Sequence, residues 1–208
     1  MKPIKSLIIF AIVATSGLAA AQPIYYGPPR DPQGFHRRAG HLTLGFSLGL
    51  GYLHDNGQNI VCSGCGGNAL TGQIEGHIGG MLNNRLGLMF EVQANFQQLA
   101  LDPTTGTDAT LQQTLAMGAI QYWITPIFWL KGGIGFANLD VVDNTTGVAY
   151  NAGNNGLGLL AGAGIELFSA RRFALELQGR LTEGIYHYSD GSTDNITSGT
   201  IGLGFNWY

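Results

Sequence analysis

The feature that most constrains this chain is a strict alternation of apolar with small or polar residues, renewed again and again from His41 to the last residue. In the first run Leu42, Leu44, Phe46, Leu48, Leu50 and Tyr52 share one parity, and Thr43, Gly45, Ser47, Gly49 and Gly51 fill the other. Side chains in a strand point alternately to its two faces, so such a run has one apolar face and one small or polar face. Wound as a helix, the same residues would scatter the leucines around the axis.

The pattern recurs. Leu70, Ile74, Ile78 and Leu82 lie opposite Gln73, Glu75 and His77; Leu86, Leu88, Phe90, Val92, Ala94 and Phe96 lie opposite Met89, Glu91, Gln93 and Asn95. A fourth run, about Thr110 to Trp123, is the least regular and its register stays open. Phe128, Leu130, Ile134 and Phe136 then oppose Lys131, and Leu157 to Leu167 oppose glycines and Glu166. Phe173, Leu175, Leu177 and Leu181 oppose Glu176, Gln178, Arg180 and Thr182, and Ile201, Leu203, Phe205 and Trp207 oppose Thr200, Gly202, Gly204 and Asn206. Tight connections at Asn83-Asn84, Thr125-Pro126 and Ser169–Arg172 alternate with long ones at His54–Ala69, Gln98–Ala109, Asn138–Asn155 and Gly184–Asp194. The reading is an all-β, eight-stranded antiparallel up-and-down meander, with strands of about 9–13 residues, the length of a tilted transmembrane strand.

Composition decides which face is inside. Glycine is 33 of 208 residues and charged residues are only 11%. A soluble sandwich or lipocalin-like binder would solvate its polar face with many Lys and Glu; here that face is Gly, Thr, Ser, Gln and single charges. A narrow eight-stranded barrel needs small and polar residues in its lumen. The apolar face, with Tyr52, Phe96, Phe136, Phe173 and Trp207 near strand ends, then forms a lipid-facing band with aromatic girdles. The formal net charge of −3 and the lack of a basic run argue against a nucleic-acid partner.

The start of the chain reads as a secretory signal peptide over residues 1–21. Lys2 and Lys5 precede the apolar stretch Leu7–Ala14, and Ala19-Ala20-Ala21 offers a cleavage site. Residues 22–38 hold four prolines and three arginines without apolar periodicity, and read as a solvated periplasmic tail; residues 39–208 are the barrel.

The eight runs, with the ending Ile201-Gly-Leu-Gly-Phe-Asn-Trp-Tyr208, resemble the small outer-membrane β-barrels of the OmpA/OmpX type. The resemblance implies outer-membrane residence, long loops outside the cell, contact with outer-membrane lipid and lipopolysaccharide, and a monomer. It also implies a C-terminal signal, here Phe205, Trp207 and Tyr208, read by the barrel-assembly machinery. The alternation peaks at Trp207 instead of the terminal residue.

Candidate sites follow. Cys62 and Cys65, in the first long connection, are expected to form a small disulfide in an oxidising compartment; a free or intermolecular pair is the alternative. Zinc would need more ligands than His54 and Asp55 nearby. Seven aspartates (Asp55, Asp102, Asp108, Asp140, Asp143, Asp190, Asp194) fall in the long connections, as an acidic rim or a divalent-cation or partner surface. Glu75, His77, Glu91, Lys131, Glu166, Glu176 and Arg180 fall on the inward face, as a paired plug or a polar pore. Counting residues from the tight turns places Lys131 beside Glu166 or Glu176, and Arg180 facing Glu75 or Glu91. No Ser/His/carboxylate trio lies on the lipid face, as a lipid A-modifying barrel enzyme would need. No catalysis and no cofactor are expected. The function expected is a structural or surface-interaction role in the outer membrane, with a narrow pore as the alternative.

Overall fold

A computed structural model describes residue 38 and residues 40–59, 70–102, 107–144, 146, 149–170, 172–187 and 191–208. The signal peptide, the tail up to Arg37, Cys62, Cys65 and Asp190 lie outside the described residues. The strands are β1 (Leu42–Asp55), β2 (Gln58–Asn59), β3 (Thr71–Met81), β4 (Leu86–Asp102), β5 (Thr107–Trp123), β6 (Phe128–Asp143), β7 (Ala149–Ser169), β8 (Phe173–His187) and β9 (Thr193–Trp207). Each long strand pairs antiparallel with the next, and β9 pairs with β1, so eight strands close a barrel without edges. β2 folds back on β1 through Asn56-Gly57, both at positive φ (48° and 77°), the conformation that a two-residue hairpin of native twist demands.

The stagger of the strands can be followed residue by residue. Starting from Tyr52, paired residues run through Gly199, Leu181, Ala161, Gly132, Ile120, Leu88 and Gly80 and return to β1 at Leu42, ten residues below the start. With eight strands this shear tilts them by about 40°. An aromatic and aliphatic belt lies on the outside between two rims. The lower rim carries Leu42, Leu82, Tyr122, Ile124 and Trp207; the upper carries Tyr52, Leu70, Phe96, Phe136 and Leu157. The ten residues of β1 between its two rim positions, at ~3.3 Å each and so tilted, rise about 25 Å, the height of the lipid-facing band of such barrels.

Inside the belt the inward parity is that read from the sequence. Inward aromatics are accommodated by glycines directly opposite: Trp129 pairs with Gly164, and its ring fills the space a Cβ there would need. A bulge between Glu166 and Phe168 turns both Leu167 and Phe168 outward.

Above the upper rim the molecule departs from the sequence reading. The connections expected at 98–109, 138–155 and 184–194 are largely paired strand: β4 runs to Asp102, β5 starts at Thr107, β6 reaches Asp143, β7 starts at Ala149 and β9 at Thr193. Asp55, Asp102, Asp108, Asp140, Asp143 and Asp194 therefore lie on strands. Here the alternation inverts. Leu53, Leu111, Leu115, Leu139, Tyr186 and Ile196 point inward into one apolar cluster that reaches down to Met117 and Leu160 inside the belt, while Thr110, Gln112, Thr114, Asn138 and Asp140 point outward. Outside the belt the outer face meets water, so the ordinary soluble arrangement returns. The register left open in the fourth run belongs to β5, the strand that crosses this inversion.

Candidate functional site

The inward residues form three layers between the tight-turn end and the hairpin end. The middle layer holds the charges. Glu91 accepts from Lys131 Nζ at 2.9 Å and forms an ion pair with Arg180. Arg180 reaches from β8 to β4, diametrically across the barrel, and also donates through Nε to Gln93 Oε1 at 3.0 Å; its Nη1 lies 3.8 Å from Glu75. Glu75 accepts from Ser47 Oγ at 2.8 Å and lies 2.7 Å from His77 Nδ1, whose other ring nitrogen is 2.6 Å from Asn206 Oδ1. All of these side chains are buried. One carboxylate, Glu91, thus holds two cations, and one of them, Arg180, also meets the other carboxylate, Glu75, which is the geometry that lets charges survive out of water.

Glu75, His77 and Glu91 also offer three ligand atoms within 4.8 Å of one another. Their oxygens already face Lys131 and Arg180, so a divalent ion would enter against two positive charges. The trio fits an ion-pair network better than a metal centre.

The expected partners of Lys131 are corrected by this geometry. Lys131 meets Glu91, not Glu166 or Glu176. Counting from the turns ignored the shear: with a stagger of ten residues around eight strands, Lys131 on β6 stands midway in height between Glu91 on β4 and Glu176 on β8 and reaches up to Glu91, while Glu166 lies more than a full layer lower. Arg180 faces both Glu75 and Glu91.

The layer at the turn end is built on a residue the sequence reading left in the solvated tail. Arg38 is 1% exposed and forms an ion pair with Glu166. Its guanidinium lies 4.6 Å from the Trp123 ring centre and 5.3 Å from that of Tyr208. Trp123 Nε1 donates to Glu166 Oε1 at 2.9 Å, and Trp123, Trp129, Met81 and Met89 form a second apolar cluster against which Tyr208 packs. Glu176, directly opposite Glu166 in the β7–β8 register, is buried in the same layer. Arg38 therefore belongs to the interior of the barrel. Two signals in the sequence pointed there: four inward carboxylates against two inward cations, and two tryptophans of inward parity at the turn end.

The C-terminal residues divide between the two faces. Trp207 is outward, Phe205 stacks on Phe46 at 4.9 Å between ring centres, and Tyr208 turns inward against Trp123.

In the layer at the hairpin end, Gln113 of β5 donates to the carbonyl of Ile196 on β9, diametrically opposite, at 3.0 Å, and Asn95 of β4 donates to Ser198 of β9 at 3.0 Å. Around them sits the apolar cluster of Leu53, Leu111, Leu115, Leu139 and Tyr186.

A closed eight-stranded antiparallel barrel with an apolar outer belt and a polar, ion-paired interior defines an outer-membrane barrel protein. The family model of the outer membrane protein beta-barrel domain matches residues 10–208, and the chain belongs to that family. Among solved structures it is similar to Ail, the attachment invasion locus protein of Yersinia pestis, at 11% identity and a TM-score of 0.54, over 81% of this chain and 99% of Ail. It is also similar to Neisserial surface protein A, at 13% identity and a TM-score of 0.51, over 80% of this chain and 95% of that one. At these identities the likeness is one of fold. No curated protein matches the sequence.

Proposed function

We propose that this protein is a closed structural barrel of the outer membrane that displays a β-sheet outside the cell, and that it does not conduct solutes. The observation that carries this reading is the pair of contacts spanning the full lumen at two heights, Arg180 to Glu91 in the middle and Gln113 to the Ile196 carbonyl at the hairpin end. A pore would need a continuous wet path past both. Orientation follows from the two ends: the tight turns and Arg38 face the periplasm, and the hairpins face outward among lipopolysaccharide.

The surface role falls to β4–β7. Beyond the pair Thr71–Gln97, β4 continues to Asp102; beyond the pair Gly156–Tyr186, β7 continues back to Ala149. Among the described residues no strand pairs with either stretch on its outer side, so the four-stranded sheet rises about 15 Å above the belt with both edges unpaired among those residues. Open edges accept an added strand from a partner. The test is single-channel recording of refolded protein in a planar bilayer. Silence at every voltage is expected; steady openings would replace this reading with the narrow pore.

A further inference from the structure

We propose that the turn-end mouth of the barrel is a guanidinium-binding site and that Arg38 is its built-in ligand, so that this one side chain closes the mouth.

The site is built before Arg38 is counted. The β7–β8 register sets Glu166 opposite Glu176 on the inward face, two like charges side by side in a buried layer. Such a pair repels unless a cation stands between the carboxylates and neutralises them. The inward cations of the strands make their ion pairs in the layer above, Lys131 with Glu91 and Arg180 with Glu91 and Glu75, and Lys131 acts on Glu176 only at longer range. Two aromatic rings, Trp123 and Tyr208, stand edge to face at 6.3 Å and present a slot for a flat cation. Trp123 Nε1, bonded to Glu166, fixes the carboxylate that the cation must meet.

Arg38 fits each element. Its guanidinium lies against both rings, pairs with Glu166, and donates through Nη2 to the Pro126 carbonyl at 3.4 Å. A planar, delocalised cation stacks and bonds in its plane at once; an ammonium cannot. The backbone is held as well, Arg38 N to Asn84 Oδ1 at 3.2 Å and Gly40 N to the Met81 carbonyl at 2.9 Å. Glu166 Oε2 and Glu176 Oε1 have no hydrogen-bond donor and Arg38 Nε and Nη1 have no acceptor, so two carboxylates and one guanidinium face each other in this mouth with bonding capacity left on both sides.

The test uses the full mature chain refolded in detergent, with acrylamide quenching of tryptophan emission as the readout. Trp123 and Trp129 are the inner indoles, and Trp207, on the lipid face, gives a constant background. Arg38→Ala is expected to raise quenching about twofold as the two inner indoles lose their cover. Millimolar guanidinium should restore wild-type quenching, and sodium chloride at equal ionic strength should not. Wild-type quenching in Arg38→Ala, or equal effects of the two salts, would overturn the proposal. Should Arg38→Ala fail to refold, Arg38→Lys keeps the charge without the planar fork. Raised quenching reversed by guanidinium supports the site; unchanged quenching shows that any cation serves and overturns it.

Discussion

The belt and the hairpin end are one continuous sheet that obeys opposite rules. In the belt Leu44, Leu48, Ile134 and Leu203 face out and Ser47, Glu75, Glu91 and Lys131 face in. On β5 and β6 above the rim, Gln112, Thr114 and Asn138 face out, and Leu111, Leu115 and Leu139 face in. β5 and β6 stay paired to each other across the rim without a shift of register. What changes is the solvent on the outer face, and the side chains follow it. The interior composition is then set by what remains. Lipid takes the apolar face below and leaves polar groups that must satisfy one another; water takes the polar face above and leaves an ordinary apolar core.

The two interiors should therefore fail differently, and the belt interior should fail hardest. Glu91→Ala removes the acceptor shared by Lys131 and Arg180 and leaves two buried cations facing only Glu75. The expected cost is on the order of 3–5 kcal/mol, the range for breaking a buried pair, and it is read from urea unfolding in vesicles or from the temperature at which the folded band is lost on gels. A cost near zero would mean that water already fills this layer.

An identical substitution can be compared across the rim. Leu115→Ala, at the fully buried centre of the apolar cluster, should cost about 2–5 kcal/mol, because the closed core cannot collapse around the void. Leu48→Ala, at a lipid-facing site 54% exposed, should cost clearly less, since acyl chains refill the space and the cavity penalty vanishes. Equal costs would deny that the hairpin end is packed like a soluble core.

A charge placed on the outer face locates the rim itself. Ile134→Lys, within the belt and 58% exposed to lipid, should destabilise by about 2–4 kcal/mol. Gln112→Lys, on the outer face of β5 above the rim, should change stability by no more than about 0.5 kcal/mol, as for a surface site in water. If both cost the same, the rim lies higher than Phe96 and Phe136.

These contrasts also explain what could be read from the sequence. The strands of the belt were legible because lipid enforces a strict alternation, and seven of the eight runs gave both strand and facing. β5 was not, because Leu111 and Leu115 follow one rule and Ile120 and Tyr122 the other on the same strand. The hairpin extensions were hidden for a related reason. Asn, Thr and Asp in water carry no face preference, so paired strand reads as loop. The seven lumen residues were legible from parity, but their partners depend on the shear, which no single run records. Arg38 sits outside any periodic segment, and only the charge count and the two inward tryptophans at the turn end hinted that a cation was missing.

The smallest expected effect lies at the hairpin end, where charges meet water. Asp55, at the end of β1 beyond the belt, has its pKa raised, first by partial burial and then by the like charge of Asp194 on the neighbouring strand. Asn56 Nδ2 bridges the two, at 3.1 Å to Asp55 and 3.3 Å to Asp194. A carboxyl whose pKa is higher folded than unfolded costs stability when ionised. The cost is absent below the unfolded value of 3.8, sets in as pH rises through the raised folded value, and is constant above it. Asp55→Asn should thus stabilise the protein slightly at neutral pH and leave it unchanged at pH 3. Because the site is largely solvated, screening holds the gain to at most a few tenths of a kcal/mol. The comparison is urea unfolding of both proteins at pH 3 and pH 7 in low salt. A loss of stability at neutral pH would mean that the Asn56 bridge outweighs the repulsion, and that the hairpin end is held by that hydrogen bond in spite of its charge.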